Sequence, residues 1–119
     1  MKDIAKKANT MYLLEKYNMK ATKKFGQNFL IDLNVIQKIV ACTPIDQQTC
    51  VIEIGPGIGA LTEQLSYRAG HVVSYEIDTR LKAVLNESLQ ECTNVEVIFQ
   101  DFLTVDLKQV VHHYKQHYS

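Results

Sequence analysis

Tryptophan is absent from this chain, and proline occurs only at Pro44 and Pro56. So little proline excludes a polyproline linker and leaves helices and strands uninterrupted except at those two points. Cysteine is limited to Cys42, Cys50 and Cys92, an odd number with no Cys-x-x-Cys spacing. That excludes a disulfide framework and fits free thiols in a reducing compartment. No apolar run approaches the roughly 20 residues a membrane helix needs, and the first lysines are not followed by a signal-peptide h-region. The expectation is a soluble cytoplasmic protein with no membrane partner. Net charge is absent too, with 13 basic against 13 acidic side chains. A chain of 119 residues, 46% of them hydrophobic, buries one modest core and not two.

The zero net charge conceals an asymmetry. Residues 1–24 hold Lys2, Lys6, Lys7, Lys16, Lys20, Lys23 and Lys24 against Asp3 and Glu15, a local +5, and the remainder carries −5. A basic arm on an acidic body suits a polyanion such as nucleic acid, although a solvated terminus has the same composition. The few glycines are also clustered, with Gly55, Gly57 and Gly59 falling within one short stretch.

The periodicity predicts alternating elements. Thr10 is expected to cap a helix running to Tyr17, and Asp32 to cap one carrying Val35, Ile36, Ile39 and Val40, closed by Pro44. Residues 18–29, with Lys23-Lys24-Phe25-Gly26-Gln27-Asn28-Phe29, read as a loop. Strands are expected at Cys50–Ile54, His71–Glu76 and Val95–Phe99. Helices follow each of them, with Ile58, Leu61 and Leu65, then Leu81, Val84, Leu85 and Leu89 after an Asp78 cap, then Leu107, Val110, Val111 and Tyr114. Repeated strand–helix alternation predicts an α/β fold with a parallel sheet. Two regions are expected: 1–31, a basic helix and covering loop, and 32–119, a nucleotide-binding half-domain.

Val51-Ile-Glu-Ile-Gly-Pro-Gly-Ile-Gly-Ala-Leu-Thr62 is a strand entering a glycine turn ahead of a helix. Glu76 stands at the end of the next strand, where a carboxylate grips a ribose diol. Gly55, Gly57 and Ala60 satisfy the dinucleotide pattern, so an NAD-binding oxidoreductase is one reading. Other details favour S-adenosylmethionine. The glycine spacing is also G-x-G-x-G, and Glu53, expected to bond loop backbone, lies two residues before it. Pro56 removes an N–H donor that a pyrophosphate would use. Asp101, with Phe102 beside it, is placed to accept the adenine amino group. A noncatalytic nucleotide- or RNA-binding module is the remaining class. His112, His113 and His117 read as solvated rather than as a metal site, and Tyr12, Tyr17, Tyr114 and Tyr118 as packing residues.

Four ordered stretches, Phe25-Gly26-Gln27-Asn28-Phe29-Leu30, Glu53 to Thr62, Tyr75-Glu76-Ile77-Asp78 and Gln100-Asp101-Phe102-Leu103, resemble the ribosomal RNA adenine dimethyltransferases. The bacterial small-subunit (16S) members look most similar, the macrolide-resistance methylases of the large subunit less so. The resemblance runs from about residue 10 onward. It implies a Rossmann-like class I methyltransferase fold limited to its first three parallel strands and their helices. It also implies S-adenosylmethionine as cofactor, and dimethylation of adenine N6 in 16S ribosomal RNA of the immature small subunit. Asn28 and Leu30 would cover the cofactor, and Gly55 and Gly57 would let backbone approach it. Glu76 would hold the ribose hydroxyls, Ile77 would flank the adenine, and Asp101 and Phe102 would bind it. Lys23 and Lys24 would lie near RNA phosphates.

The chain departs from the family in one respect that governs chemistry. Members carry an Asn-Leu-Pro-Tyr-type tetrapeptide after a fourth strand, and neither Pro44 nor Pro56 sits in one. The chain therefore reads as the N-terminal half of such an enzyme, with no catalytic residue of its own. The first strand, central in the usual strand order, would become an edge, and self-association through it is expected.

Overall fold

The computed structural model describes residues 2–19 and 32–118. Their order is α1 (Lys7–Lys16), α2 (Leu33–Ala41), β1 (Cys50–Ile54), α3 (Ala60–Ser66), β2 (His71–Glu76), α4 (Lys82–Ser88), β3 (Val95–Phe99) and α5 (Leu107–Lys115). Short 3-10 turns at Thr79–Leu81 and Phe102–Thr104 lead into the last two helices. All three strands occupy the residues their apolar runs predict. They form a parallel sheet in the order β1-β2-β3, which leaves β1 at one edge.

Sheet register sorts the side chains onto two faces. Val51, Val72 and Val95 align across the strands, and so do Ile52, Val73 and Glu96. The first row joins the main core, where Ile36 and Val40 of α2, Leu65 of α3, and Val84 and Leu85 of α4 are buried. The second row belongs to the opposite face, which α5 covers only in part. There Tyr114 and Tyr118 stack on His71 with ring centroids 5.3 and 5.9 Å away, and Phe102 packs on Tyr75 at 5.3 Å. Only half of the α2 stripe is used, since Ile36 and Val40 are buried while Val35 and Ile39 stay exposed.

Aspartate caps explain most helix starts. Asp32 accepts from Asn34 N–H, Asp78 from Arg80 N–H, Asp101 from Leu103 N–H and Asp106 from Gln109 N–H. Thr10 is a correction. The first helix begins three residues earlier, at Lys7, and its N-cap Lys6 makes no side-chain bond. Thr10 lies inside the helix, buried, and its hydroxyl donates to the Ile4 carbonyl at 2.8 Å. A threonine hydroxyl bonds local carbonyls as readily as it caps, and sequence alone does not separate the two.

The N-terminal segment is fastened by two carboxylates distant in sequence. Glu63 of α3, 1% exposed, accepts from the backbone N–H groups of Asp3 at 2.9 Å and Ile4 at 2.8 Å and from the Tyr67 hydroxyl at 3.1 Å. Glu87 of α4 pairs with Lys16 at 2.6 Å and accepts from the hydroxyls of Tyr12 and Tyr17. Lys16, then Tyr17 and Tyr12, hold the Glu87 carboxyl down at about 2. Part of the basic arm is thus internally paired. Truncating Glu63 to alanine strands two backbone donors in the interior, so urea denaturation of Glu63→Ala should register a loss of about 3 kcal/mol. A loss below about 1 kcal/mol would mean that the segment is anchored elsewhere.

Candidate functional site

The loops that follow β1, β2 and β3 converge at the carboxyl end of the parallel sheet, where open α/β folds form their ligand crevice. The first loop is built from left-handed backbone, with φ of +73° at Gly55, +60° at Gly57 and +94° at Gly59. Gly55 N–H donates to the Tyr75 carbonyl at 2.8 Å, and Gly59 N–H to that of Pro56 at 2.9 Å. A Cβ on Gly59 would lie 3.0 Å from Leu89 Cδ2 and 3.2 Å from Ser88 Oγ, so the loop rests directly on α4. Ser88 Oγ secures it further by donating to the Ile58 carbonyl at 2.7 Å. Gly55 contrasts with this, because a Cβ there would meet nothing within 4 Å. One side of the loop is packed and the other is open to a ligand.

Glu76 joins the loops. Its carboxylate, on a residue 4% exposed, accepts from Gly57 N–H at 3.2 Å and from Asp78 N–H at 2.9 Å. An ionised carboxylate offers about four lone-pair sites, which leaves capacity for two ribose hydroxyls. Its own carbonyl receives Gln100 N–H at 3.0 Å, which places the start of the third loop beside it. Asp101 uses one oxygen to cap the turn at Leu103 N–H, 3.0 Å away. Ile77 is 47% exposed at the rim. Phe102 follows Asp101, and its ring lies against Tyr75.

The structure therefore gathers Gly55, Gly57, Glu76, Ile77, Asp101 and Phe102 at one end of the sheet. Asn28, Leu30, Lys23 and Lys24 lie outside the described residues.

Glu53 corrects its expected role. Among the described residues it bonds side chains and not loop backbone; its Oε1 accepts from Thr62 Oγ1 at 2.5 Å and Ser74 Oγ at 2.7 Å. Burial pushes its carboxyl up, the two hydroxyls oppose this, and the nearby Glu76 charge adds to it. Sequence reasoning missed Thr62, Ser74 and Ser88, which support the loop from beneath. Their only signal was a polar residue at a position the periodicity assigns to the core.

The electrostatics discriminate between ligands. Glu76 and Asp101 both stand at this end of the sheet, while Asp78 is offset by Arg80 at 2.6 Å. Carboxylates so placed suit a nucleoside bearing positive charge.

Comparison with known proteins agrees with this geometry. The family model for ribosomal RNA adenine dimethylase matches residues 18–119. The chain is 50% identical over 115 residues to "Ribosomal RNA small subunit methyltransferase A" of Staphylococcus aureus strain Newman. That match covers 97% of this chain and 39% of the relative, and the protein of strain JH9 gives the same figures. The chain thus spans about two fifths of the length of these curated relatives. Among solved structures, the 23S rRNA methyltransferase ErmE superposes with a TM-score of 0.61 at 45% identity, over 66% of this chain and 32% of that one. A dimethyladenosine transferase from Plasmodium falciparum gives 0.56 at 28% identity, over 60% and 27%. The tRNA (m1A58) methyltransferase TrmI of Aquifex aeolicus, at 24% identity and a TM-score of 0.62, shares the fold. With its glycine turn, the buried Glu76 carboxylate beside it and the matching span, the chain belongs to the ribosomal RNA adenine dimethylase family.

Proposed function

We propose that this chain forms the S-adenosylmethionine-binding half of an enzyme that dimethylates adenine N6 in 16S ribosomal RNA. The observation that carries the reading is the Glu76 carboxylate, which holds the glycine turn and the start of the Asp78 turn together beside the open flank of Gly55. Glu76 takes the ribose hydroxyls, Asp101 the adenine amino group, and Gly55 and Gly57 admit the methionine portion. Ile77 and Phe102 supply the apolar flank. Asn28 and Leu30 cover the cofactor from the N-terminal side, and Lys23 and Lys24 meet RNA phosphates of the small subunit in the cytoplasm.

S-Adenosylmethionine supplies a methyl group already activated by its sulfonium. The protein's contribution is then positioning and charge stabilisation. The residues present fit the first part of that work. The match to the ribosomal RNA adenine dimethylases, together with the N–H donor that Pro56 removes from the loop, supports S-adenosylmethionine over NAD. Isothermal titration calorimetry is expected to show S-adenosylmethionine binding and no NAD binding. NAD binding without an S-adenosylmethionine signal would overturn the assignment.

The same reading includes self-association through β1. Among the described residues this strand has a neighbour on one side only. The strand itself, Cys50–Ile54, contains no lysine or proline of the kind that usually guards an open edge.

A further inference from the structure

The glycine turn is flanked by two helices, and both are fastened to the same N-terminal segment. On one flank, Glu63 N–H donates to the Gly59 carbonyl at 2.9 Å, which ties the first turn of α3 to the loop. The side chain of that same residue accepts from Asp3 and Ile4 N–H groups at 2.9 and 2.8 Å. On the other flank, Ser88 Oγ donates to the Ile58 carbonyl at 2.7 Å, and a Cβ on Gly59 would lie 3.0 Å from Leu89 Cδ2. The residue before these two, Glu87, accepts from Lys16 Nζ at 2.6 Å, from the Tyr12 hydroxyl at 2.9 Å and from the Tyr17 hydroxyl. Lys16 Nζ also lies 5.5 Å from the ring centroids of both tyrosines. Each carboxylate that holds the segment is thus on, or next to, a residue that holds the turn.

We infer that residues 3–17 brace the cofactor turn, with Glu63 and Glu87 as positioning residues that set the shape of the loop S-adenosylmethionine meets. This deepens the cofactor reading above and rests on it. Neither carboxylate is among the groups proposed to touch the cofactor, so both act through the turn. When the segment lifts away, Glu63, 1% exposed, loses two backbone donors and is left as a charge in the interior. Such a group turns toward water or stays underpaired at a cost, and either response strains the first turn of α3. Glu87 loses a cation and two hydroxyls in the same event, because all three come from α1 and the residue after it. Gly59 cannot absorb the change alone, since it rests on Leu89 and its carbonyl is bonded to α3. The shift passes to Gly55 and Gly57, whose backbone is the part proposed to admit the methionine portion. By linkage, a docked segment raises cofactor affinity, and bound cofactor holds the segment down by the same factor.

The test uses the full 119-residue chain and two charge reversals. Lys16→Glu and Glu87→Lys should each move the amide NMR signals of Gly55, Gly57 and Gly59 in the cofactor-free chain. Each should also weaken S-adenosylmethionine binding by about fivefold or more in calorimetry. The double reversal, which restores an opposite pair at the same place, should return both readouts toward wild type. The Lys16 side chain is 48% exposed on α1, so Lys16→Glu carries the test should Glu87→Lys fail to fold. A contact that is merely structural would lower the melting temperature of the single variants while glycine signals and affinity stay put. That outcome would overturn the brace and leave the cofactor reading standing, and so would single-variant losses that the double reversal does not rescue. A wild-type chain that binds no S-adenosylmethionine would overturn both together.

Discussion

An alanine in place of Glu76 is expected to weaken S-adenosylmethionine binding by at least about 100-fold. The proposed ribose contacts are two charge-assisted hydrogen bonds worth about 1.5–3 kcal/mol each, and each 1.4 kcal/mol is about a factor of ten in affinity. The same carboxylate also staples Gly57 N–H and Asp78 N–H, so the substitution disturbs the crevice as well as the contact. Glu76→Gln separates these effects. Its amide keeps one acceptor, enough for one of the two backbone donors, and loses the charge, so it should cost about tenfold in affinity with a smaller loss of stability than alanine. Calorimetry on both variants, read beside their thermal melts, checks the reading. Affinity within about threefold of wild type for Glu76→Ala would leave the carboxylate only its role in holding the loops.

The second large effect is the absence of turnover. Purified chain, supplied with small-subunit ribosomal RNA and labelled S-adenosylmethionine, is expected to transfer no methyl group above background. The lone pair of an adenine amino group is delocalised into its ring, and attack requires acceptors that hold the nitrogen in line with the methyl. Placement of that kind is worth about 7–11 kcal/mol, so its loss removes at least about five orders of magnitude in rate. The family supplies those acceptors from an Asn-Leu-Pro-Tyr-type tetrapeptide that this sequence lacks. Robust incorporation of label would mean that another part of the chain provides them. Binding and transfer are thus separable here, and the calorimetric and radiochemical results are expected to disagree.

Much of the fold was legible because its signals are local. Each strand is an apolar run bounded by turn residues, and Cys50–Ile54, His71–Glu76 and Val95–Phe99 occupy the expected positions. The glycine turn announced itself through Gly55, Gly57 and Gly59, all of which adopt positive φ. Asp32 and Asp78 cap as predicted. Asp106 carries the same signal before α5 and was overlooked.

The site was legible to the extent that strand ends and loops define it. Less visible was what supports it. Glu53 finds Thr62 and Ser74, Ser88 finds the Ile58 carbonyl, and Glu63 finds the N-terminal backbone, across separations of 9 to 60 residues. No period or spacing encodes such pairings, since they depend on which faces meet after the chain has folded. The α2 stripe shows the converse. Val35 and Ile39 satisfy the helical pattern yet remain exposed, because periodicity identifies an apolar face without saying how much of it is covered.

The grip of Glu63 on Asp3 and Ile4 has a consequence for the order of events during synthesis. Asp3 and Ile4 are translated ahead of the side chain they dock onto, which comes 60 and 59 positions later. At about 5–20 residues per second, this segment waits roughly 3–12 s before its acceptor exists. Throughout that interval Ile4 and Leu13, both fully enclosed in the finished protein, have nowhere to go. The leading segment is therefore the natural target for whatever shields apolar surface on an emerging polypeptide, and β1 with α3 must be made before it can be released.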